Sequence, residues 1–431
     1  MKSTFCDGVT RRDFMRIGSV GLTGLSFTSF ASLAAANDKN NATADSCIFI
    51  NLAGGPAHQD TLDMKPDAPT DSQGPFKPIP SNLTGLQVCE HLPKFAEIAD
   101  QFALIRGIQH TAGAHPQGQS YISTGNRPGP ALIYPSYGSV ISKELPGHAD
   151  LPPYVAVPVT EWNAGYMGDA FAPLKTNAVP KPGKPFEVRG ITLSEGLTLD
   201  KVNRRQELLK KVDKTFRAVD TNSQLLDALD AFGEKAHQMI TSERSRAAFD
   251  VSQEPESISK LFADDEFSQS LLLSCRLIEF GVKFITVTNA GWDTHLDNFT
   301  NLQNKLLPPF DRGIHAFMSA MSAKGLLDRT LVICMGEFGR TPKINVHTGR
   351  DHFPRVNWSL MAGGGVKAGQ FIGGTDKDGA SPDDGTDIKP DDLAASIYSA
   401  LGIDHHQEYH TVTGRPVMLV PEGRVISELF A

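Results

Sequence analysis

Histidine and carboxylate side chains are concentrated in four short polar stretches of the chain. These stretches are NLAGGPAHQDTLD at 51–63, HTAGAHPQGQSYISTG at 110–125, TNAGWDTHLDN at 288–298 and GEFGRTPKINVHTGRDH at 336–352. Of the 13 histidines in the chain, they contain His58, His110, His115, His295, His347 and His352. Carboxylate oxygens and imidazole nitrogens are ligands for zinc, manganese and iron, and oxygen-rich sets suit calcium or magnesium. The four stretches together therefore predict a divalent metal site.

Two arginines, Arg340 and Arg350, lie in the last of these stretches. A guanidinium group presents a planar fork of donors that matches the oxygens of phosphate or sulfate. Both arginines are therefore candidates for neutralising an anionic group, and the alternative is that they pair only with neighbouring carboxylates. Asp293 and His295 likewise have a structural alternative, a capped turn with a hydrogen-bonded imidazole.

Each polar stretch follows a short apolar segment that is typical of a buried β-strand. The four segments are SCIFINLAGG, FALIRGI, KFITVTNAG and TLVICMGEFG. Helical patterns occur between them, at 136–145, 266–281 and about 300–323, and again from Pro390 onward. This alternation predicts an α/β fold with a doubly wound, mainly parallel sheet and helices on both faces. Ligands in such folds bind at the carboxyl ends of the strands, so we expect the four polar stretches to meet there.

The rest of the chain sets the domain organisation and excludes some functions. We predict a single α/β domain over 45–431, with a helical insertion at about 195–262, where charged residues separate apolar ones at helical spacing. The chain has 41 Lys+Arg against 49 Asp+Glu and shows no basic patch, so nucleic acid is not an expected partner. From residue 37 onward, no segment is long and apolar enough to span a bilayer.

The N-terminal residues 1–36 are typical of a twin-arginine export signal. Arg11 and Arg12 precede a weakly apolar stretch rich in Gly, Ser and Thr, which ends in the small residues Ala34–Ala36. We therefore predict export to the periplasm or the cell exterior; the alternatives are an N-terminal membrane anchor or a chance Arg-Arg pair. Four cysteines remain after this segment, and buried free thiols are as compatible with the sequence as disulfides.

Several motifs in a fixed order resemble a known family. LAGGPAHQDTLDMKP, GAHPQGQSYISTG, PSYGSVISKEL, GWDTHLDNF, GEFGRTPKIN, GRDH and AGGGVKAGQFIGGTD resemble the exported family known as domain of unknown function 1501, from about residue 45 to 431. That family is grouped with the alkaline phosphatase and sulfatase superfamily. The resemblance implies a doubly wound α/β fold and a metal site that acts on phosphate or sulfate esters.

The resemblance also implies roles for single residues. His115 stands where sulfatases have their nucleophile, and the late Asp-His-Gly of the superfamily corresponds to Glu337-Phe338-Gly339, which keeps one possible ligand. The GRDH motif resembles a G-T-D-H motif and implies a ligand role for His352, while DTH suggests the same for Asp293 and His295.

The predicted function is an exported metal-dependent hydrolase of phosphate or sulfate esters, acting on an anionic small molecule or glycan ester. The predicted ligands of a zinc, manganese or calcium ion are Asp293, His295, Glu337 and His352, joined by His58 and Asp60. Arg340 and Arg350 are expected to neutralise the anionic group. His115 is the nucleophile, or else a metal-bound water attacks with His115 or His110 as the base.

Two other functions remain open at the level of sequence. One is a non-catalytic envelope or surface protein of the same fold that binds an anionic ligand or glycan. The other is an oxidoreductase, which only the export route suggests and which no cofactor motif supports. The sequence indicates no oligomeric state.

Overall fold

The computed structural model describes residues 42–184, 186–192, 198–216, 233–234, 236–411 and 413–430. The predicted export signal at 1–36 lies outside the described residues. The described chain forms one large sheet and three small two-stranded sheets. Its strands are β1 Ser46–Ala53, β2 Pro78–Pro80, β3 Gln87–Cys89, β4 Ala103–Ile108, β5 Tyr154–Val157, β6 Leu174–Lys175, β7 Phe284–Ala290, β8 Thr330–Met335, β9 Gly339–Arg340, β10 His352–Phe353, β11 Asn357–Ala362, β12 Gln370–Ile372, β13 Glu408–His410 and β14 Pro416–Met418.

The large sheet has eight strands in the order β12-β4-β11-β8-β1-β7-β5-β6. Strands β8, β1, β7, β5 and β6 pair in parallel, as do β4 and β12. Strand β11 runs antiparallel to both of its neighbours, β4 and β8. The sheet is therefore mainly parallel, and the carboxyl ends of β1, β4, β5, β7 and β8 lie at one edge.

Helices cover both faces of this sheet. They are α1 Pro93–Ala96, α2 His115–Thr124, α3 Tyr137–Glu144, α4 Leu199–Phe216, α5 Glu243–Phe249, α6 Glu256–Ser259, α7 Glu266–Phe280, α8 Asn298–Asn301, α9 Leu307–Ala323 and α10 Pro390–Ala400. Side chains of β1 alternate between two cores: Ile48 and Ile50 pack in the core that contains α7 and α9, and Phe49 packs in the core that contains α3 and α10. The alternation follows from the two-residue period of a strand. The predicted doubly wound α/β fold is confirmed.

Helix α7 shows how local sequence sets the bounds of these elements. The Asp265 carboxylate accepts a hydrogen bond from the Ser268 backbone N–H at 2.9 Å and so caps the first turn. The helix ends at Gly281, whose φ of 99° lies in the left-handed region that glycine tolerates best. Strand β7 begins three residues later, so the chain reverses directly onto the sheet.

The predicted insertion at about 195–262 contains α4, α5 and α6, and part of it lies outside the described residues. Cys47, Cys89, Cys275 and Cys334 are all buried free thiols. Burial raises the pKa of each of these thiols above its usual range. Within the described ranges, none of the helices has the length and apolar character needed to cross a membrane.

Candidate functional site

The polar stretches meet at the carboxyl ends of three adjacent strands, β8, β1 and β7. Asp293 and His295 lie in the loop after β7, and Glu337 lies directly after β8. His115 is the first residue of α2, and His352 is the first residue of β10. The structure therefore brings together residues from three of the four stretches, because parallel strands deliver their following loops to one edge of the sheet.

The carboxylate of Asp293 is the centre of this cluster. Its Oδ1 atom lies 3.1 Å from His295 Nε2 and 3.2 Å from His352 Nε2. The two imidazole Nε2 atoms are themselves 3.0 Å apart. On the other side of the carboxylate, His115 Nε2 lies 3.3 Å from Oδ2. The Asp293 side chain is 43% exposed, so the cluster can be reached from solvent.

Each of the three imidazoles is held through its other ring nitrogen by an acceptor. The Nδ1 atom of His115 lies 2.6 Å from Glu337 Oε1, and that of His295 lies 2.6 Å from Asp351 Oδ1. The Nδ1 atom of His352 lies 2.8 Å from the Gly113 carbonyl oxygen. Carboxylates and carbonyls only accept, so Nδ1 carries the proton in all three rings. The Nε2 atoms of the three rings therefore face the Asp293 carboxylate, and each would present a lone pair there when its ring is neutral.

This donor set is chemically suited to a metal ion. Ligand bonds of 2.0–2.1 Å in a tetrahedral site place neighbouring ligand atoms about 3.3 Å apart. The spacings of 3.0 to 3.2 Å among Asp293, His295 and His352 are close to this value. One ligand atom each from His115, Asp293 and His352 also lies within 4.8 Å of the other two. Histidines that bind metals usually donate their second N–H to a carboxylate or carbonyl, as these three do.

Glu337 faces His115 rather than the centre of the cluster. Its side chain is 1% exposed, and its two oxygens accept hydrogen bonds from the Gly54 N–H at 3.1 and 3.0 Å. Gln119 Nε2 donates to the same carboxylate at 2.8 Å. The hydrogen bond to Glu337 is the main cause that raises the pKa of His115. Glu337 thus orients a histidine.

Arg340 is buried beneath the Asp293 carboxylate. Its Nη2 donates to Asp293 Oδ1 at 2.5 Å and to the Gly54 carbonyl, and its Nε donates to the Gly55 carbonyl at 3.0 Å. Nη1 donates to the Arg350 carbonyl at 3.1 Å. Burial acts to raise the pKa of Asp293, but the hydrogen bond and charge of Arg340, together with His352 and His115, outweigh it and lower that pKa to about 2. Arg340 therefore helps to keep Asp293 ionised. Its Nε, Nη1 and Nη2 atoms all donate hydrogen bonds to acceptors of the protein itself.

Arg350 and Asp60 form a second buried pair. Arg350 Nε and Nη2 donate to the two oxygens of Asp60 at 2.7 and 2.8 Å, and Asn298 Nδ2 donates to Asp60 Oδ2 at 2.8 Å. Both side chains of the pair are almost completely buried. The bidentate geometry explains why an arginine stands here, since a lysine cannot form it. Asp60, a predicted metal ligand, and Arg350, a predicted anion-binding residue, thus form an ion pair with each other.

His58 and His110 are buried and bond to backbone groups. His58 Nε2 lies 2.8 Å from the Gly379 carbonyl oxygen, and burial lowers the pKa of His58 to about 4. His110 Nε2 lies 2.7 Å from the Glu337 carbonyl oxygen, while its Nδ1 accepts from the Ala112 N–H at 3.1 Å. Both nitrogens of His110 are thus occupied, and the residue fixes the backbone from which the Glu337 side chain projects.

Two residues that were not among the predicted ligands or catalytic residues complete the surroundings of the cluster. Asp351 holds His295, and the hydrogen bond with His295 lowers the pKa of Asp351. Gln119 holds Glu337 from α2. The spacing of Gln119 and His115 was a usable signal, because residues four apart share one face of a helix.

A cavity of about 410 Å³ opens beside the cluster. His115, Asp293 and Glu337 line it, and the rest of its wall comes from the end of β1 and the turn after it, from α2, from the loop after β5 and from β7. A larger cavity of about 860 Å³ is lined by residues from 181–192 and 246–272 and contains none of these three residues. The smaller cavity is the one that can bring a ligand to the cluster.

The chain belongs to the family described as protein of unknown function (DUF1501), which it matches over residues 44–430. The family predicted from the sequence motifs is therefore confirmed. No curated protein matches the chain in sequence.

Several solved structures show a distant likeness. The lipoteichoic acid synthase LtaP from Listeria monocytogenes is 9% identical, with 89% of this chain and 76% of that chain covered and a TM-score of 0.35. The PsFucS1 sulfatase from Pseudoalteromonas sp. is 14% identical, with 93% and 75% covered and a TM-score of 0.37. A 2-O GAG sulfatase, BT1596, is 11% identical, with 89% and 73% covered and a TM-score of 0.34. At such TM-scores these likenesses do not bear on the chemistry of the site.

Proposed function

We propose that this member of the DUF1501 family is a metal-dependent hydrolase of phosphate or sulfate esters. In this proposal Asp293, His295 and His352 bind the metal, and His115 is the general base. The observation that carries the proposal is the convergence of three imidazole Nε2 atoms on the Asp293 carboxylate, with each Nδ1 fixed by an acceptor. A bound cation would be coordinated by the carboxylate and the imidazole nitrogens together, and metal sites commonly combine these ligand types.

The ligand set favours zinc or manganese over calcium. Two imidazoles and one carboxylate suit the former ions, whereas calcium takes six to eight oxygen ligands. Three protein ligands are the usual number in catalytic zinc sites, which keep one position open. When bound, the ion would polarise an ester oxygen and lower the pKa of a water molecule. The histidine-rich ligand set thus favours two of the three metal ions that the sequence left open, zinc and manganese.

His115 has the geometry of a base oriented by a carboxylate. Glu337 accepts the Nδ1–H, which leaves Nε2 as the nitrogen that would take a proton from an attacking water, and the hydrogen bond to Glu337 raises the pKa of His115 and so makes the ring a stronger base. Within the described part of the chain, no hydroxyl or thiol is hydrogen bonded to His115; its side-chain partners are Glu337 and Asp293. This supports water as the attacking group.

The buried arginines act indirectly. Arg340 keeps Asp293 ionised beneath the metal site, and Arg350 secures the loop that contains Asp60. Contact between either guanidinium and a substrate anion would require breaking hydrogen bonds to protein groups. In this proposal the ester would approach the open side of the cluster, where Asp293 is exposed, and a bound metal ion would neutralise its anionic oxygens there.

The test combines metal analysis with turnover. The purified protein is expected to contain about one equivalent of zinc or manganese and to hydrolyse 4-nitrophenyl phosphate or 4-nitrophenyl sulfate. His295→Ala should lose both metal and turnover, and His115→Ala should keep the metal and lose turnover about 100-fold or more. His347→Ala is the matched control, because His347 is an exposed histidine of the same stretch. Absence of both metal and turnover in the native protein would favour a non-catalytic binding protein.

We also propose that residues 1–36 direct export by the twin-arginine route. The support is the order of its parts, with Arg11 and Arg12 before a weakly apolar stretch and Ala34–Ala36 at its end. Replacing both arginines by lysine should leave the full-length protein in the cytoplasm. Cell fractionation measures this, and undiminished export of the double variant would contradict the proposal.

A further inference from the structure

The cavity beside the cluster has a wall whose polar groups accept hydrogen bonds. Beyond His115, Asp293 and Glu337, it is lined by Asn51, Ala53, Gly54, Gln119, Val159, Thr160, Glu161 and Thr288. Its volume of about 410 Å³ is within the range of small-molecule sites. His115 is the one basic residue among the residues that line it. Any ligand group placed beyond the metal end therefore meets this wall without a lysine or arginine.

Glu161 gives the wall a free negative charge. It lies in the loop after β5, it is exposed, and it has no hydrogen-bond or ion-pair partner within the described residues. The other two carboxylates of the cavity, Asp293 and Glu337, are held by Arg340 and His115. Of the three carboxylates that line the cavity, Glu161 is thus the one whose charge has no partner among the described residues.

The floor of the cavity contains a buried acceptor without a donor. Asn51 is 3% exposed, and its Oδ1 atom has no hydrogen-bond partner. Its amide orientation is fixed, because Asn51 Nδ2 donates to Gln119 Oε1 at 3.1 Å and Trp162 Nε1 donates to the same oxygen at 3.1 Å. Thr288, which is opposite Asn51 in the register of β1 and β7, has a buried hydroxyl that is also without a partner. Buried polar atoms of this kind are normally satisfied, so the floor is suited to a group that donates hydrogen bonds.

We infer that this cavity holds the alcohol part of an ester whose leaving group is a neutral polyol or an amino alcohol. The inference rests on the proposed hydrolase function and names its substrate class. Hydroxyl or ammonium groups supply donors to Asn51 Oδ1 and to Glu161, and the carbon skeleton contacts Val159, which is 45% exposed. Some leaving groups carry an anionic group of their own, in addition to the ester phosphate or sulfate. That anionic group would face the Glu161 carboxylate and Asn51 Oδ1, and the repulsion disfavours binding.

A matched set of three phosphate monoesters tests the inference: glycerol 1-phosphate, phosphoethanolamine and 3-phosphoglycerate. They share the phosphate and differ in a neutral, cationic or anionic leaving group. Titration calorimetry on the metal-loaded protein should show that 3-phosphoglycerate binds about tenfold or more weakly than the other two. The corresponding sulfate monoesters are used if the aryl ester assay favours sulfate. Equal or tighter binding of 3-phosphoglycerate would overturn the inference.

Charge reversal on the wall gives a second measurement. Glu161→Lys should reduce or reverse the preference against 3-phosphoglycerate, and Glu161→Gln should have an intermediate effect. Glu408→Lys makes the same charge change at an exposed position of β13 and should leave the preference unchanged. An unchanged preference in Glu161→Lys would also overturn the inference. Because binding is measured separately from hydrolysis, the predicted order of binding without any turnover would contradict the hydrolase proposal alone.

Discussion

Glu337 and Asp351 make the same kind of contact to different histidines. Each carboxylate accepts an Nδ1–H at 2.6 Å, Glu337 from His115 and Asp351 from His295. In our proposal His115 is the base and His295 is a ligand. The two carboxylates consequently support different functions, although the local chemistry is alike.

Changing each carboxylate to its amide should separate these functions. Glu337→Gln is expected to lower kcat about 10- to 100-fold with the metal retained, and Asp351→Asn to weaken metal affinity by a similar factor. The reason is that the amide holds the imidazole less firmly and lowers its basicity. Metal content and turnover of both variants provide the measurement. Loss of the metal in Glu337→Gln would identify His115 as a ligand rather than the base.

The pair formed by Asp60 and Arg350 should affect stability instead. Asp60→Asn leaves a buried guanidinium without its counter-charge, so we expect a loss of about 3 kcal/mol or more in the free energy of unfolding. Metal affinity per folded molecule should be unchanged. Denaturant unfolding measures the loss, with Asp328→Asn, at an exposed position, as the matched control. A variant of native stability that fails to bind metal would show that Asp60 belongs to the metal site.

These residues show the limit of sequence reasoning at this scale. The motifs placed Asp293, His295 and His352 in one site, because the ends of parallel strands converge. They did not distinguish Glu337 and Asp60 from those three, because the residue types and their positions after strands are the same. The difference arises from the loop paths, which turn Glu337 towards His115 and bring Asp60 against Arg350.

Among the elements, the turn after β1 is the one that most directly shapes the site. Gly54 has a φ of 116°, and its N–H donates to Glu337 while its carbonyl accepts from Arg340. A Cβ atom at this position would collide with the backbone N of Asp293. Glycine is thus required both by the backbone conformation and by the close approach of the loop after β7.

Gly54→Ala is therefore expected to displace Asp293 and to lower metal affinity about 10-fold or more. The comparison is Gly168→Ala, because Gly168 also has a positive φ of 84° but has open space around its Cα atom. Backbone strain of about 1 to 3 kcal/mol from an alanine at a positive φ is expected in both variants. Metal affinity and unfolding free energy are measured together. Equal metal affinity in the two variants would mean that the approach of the two loops does not position Asp293.

Strand β11 shows that the alternation of strands and helices along the sequence predicts parallel strand pairs but not an antiparallel one. The alternation of strands and helices predicted the parallel pairs, since a parallel connection needs a crossover, usually a helix. Between β8 and β11 the chain forms the β9–β10 hairpin, and β11 then pairs antiparallel with β8. The alternation pattern does not state the direction of the strand at Asn357–Ala362, so this part of the topology came only from the structure.

At the scale of the whole molecule, the site depends on segments that are distant in sequence. His115, Asp293 and His352 belong to a helix, a loop and a hairpin, which only the folded sheet brings together. The family and the fold class were predictable, because both depend on the order of motifs and elements along the chain. The orientation of each side chain was not, because it depends on contacts such as those of Arg340 with the turn at Gly54 and Gly55.

Buried His58 makes the stability of the whole fold depend on pH. Burial lowers its folded-state pKa to about 4, whereas an unfolded histidine has a pKa of about 6.5. Between these two pH values the unfolded state binds a proton and the folded state does not. The free energy of unfolding therefore falls as the pH drops from about 6.5 to about 4. The stabilisation that neutral His58 contributes is fully present above a pH of about 6.5. The largest contribution from this shift is about 3 kcal/mol.

The carboxylates of the protein also titrate at acidic pH, so the effect of His58 is isolated by comparison. His58→Gln can keep a donor for the Gly379 carbonyl but has no titratable ring. Metal-free His58→Gln should lose less stability than the metal-free native protein between pH 6.5 and 4, even if it is less stable at neutral pH. His347→Gln, at an exposed position, should follow the native slope. Equal slopes for the native protein and His58→Gln would show that His58 does not remain neutral in the folded protein, because a ring that charges in both states contributes no pH dependence.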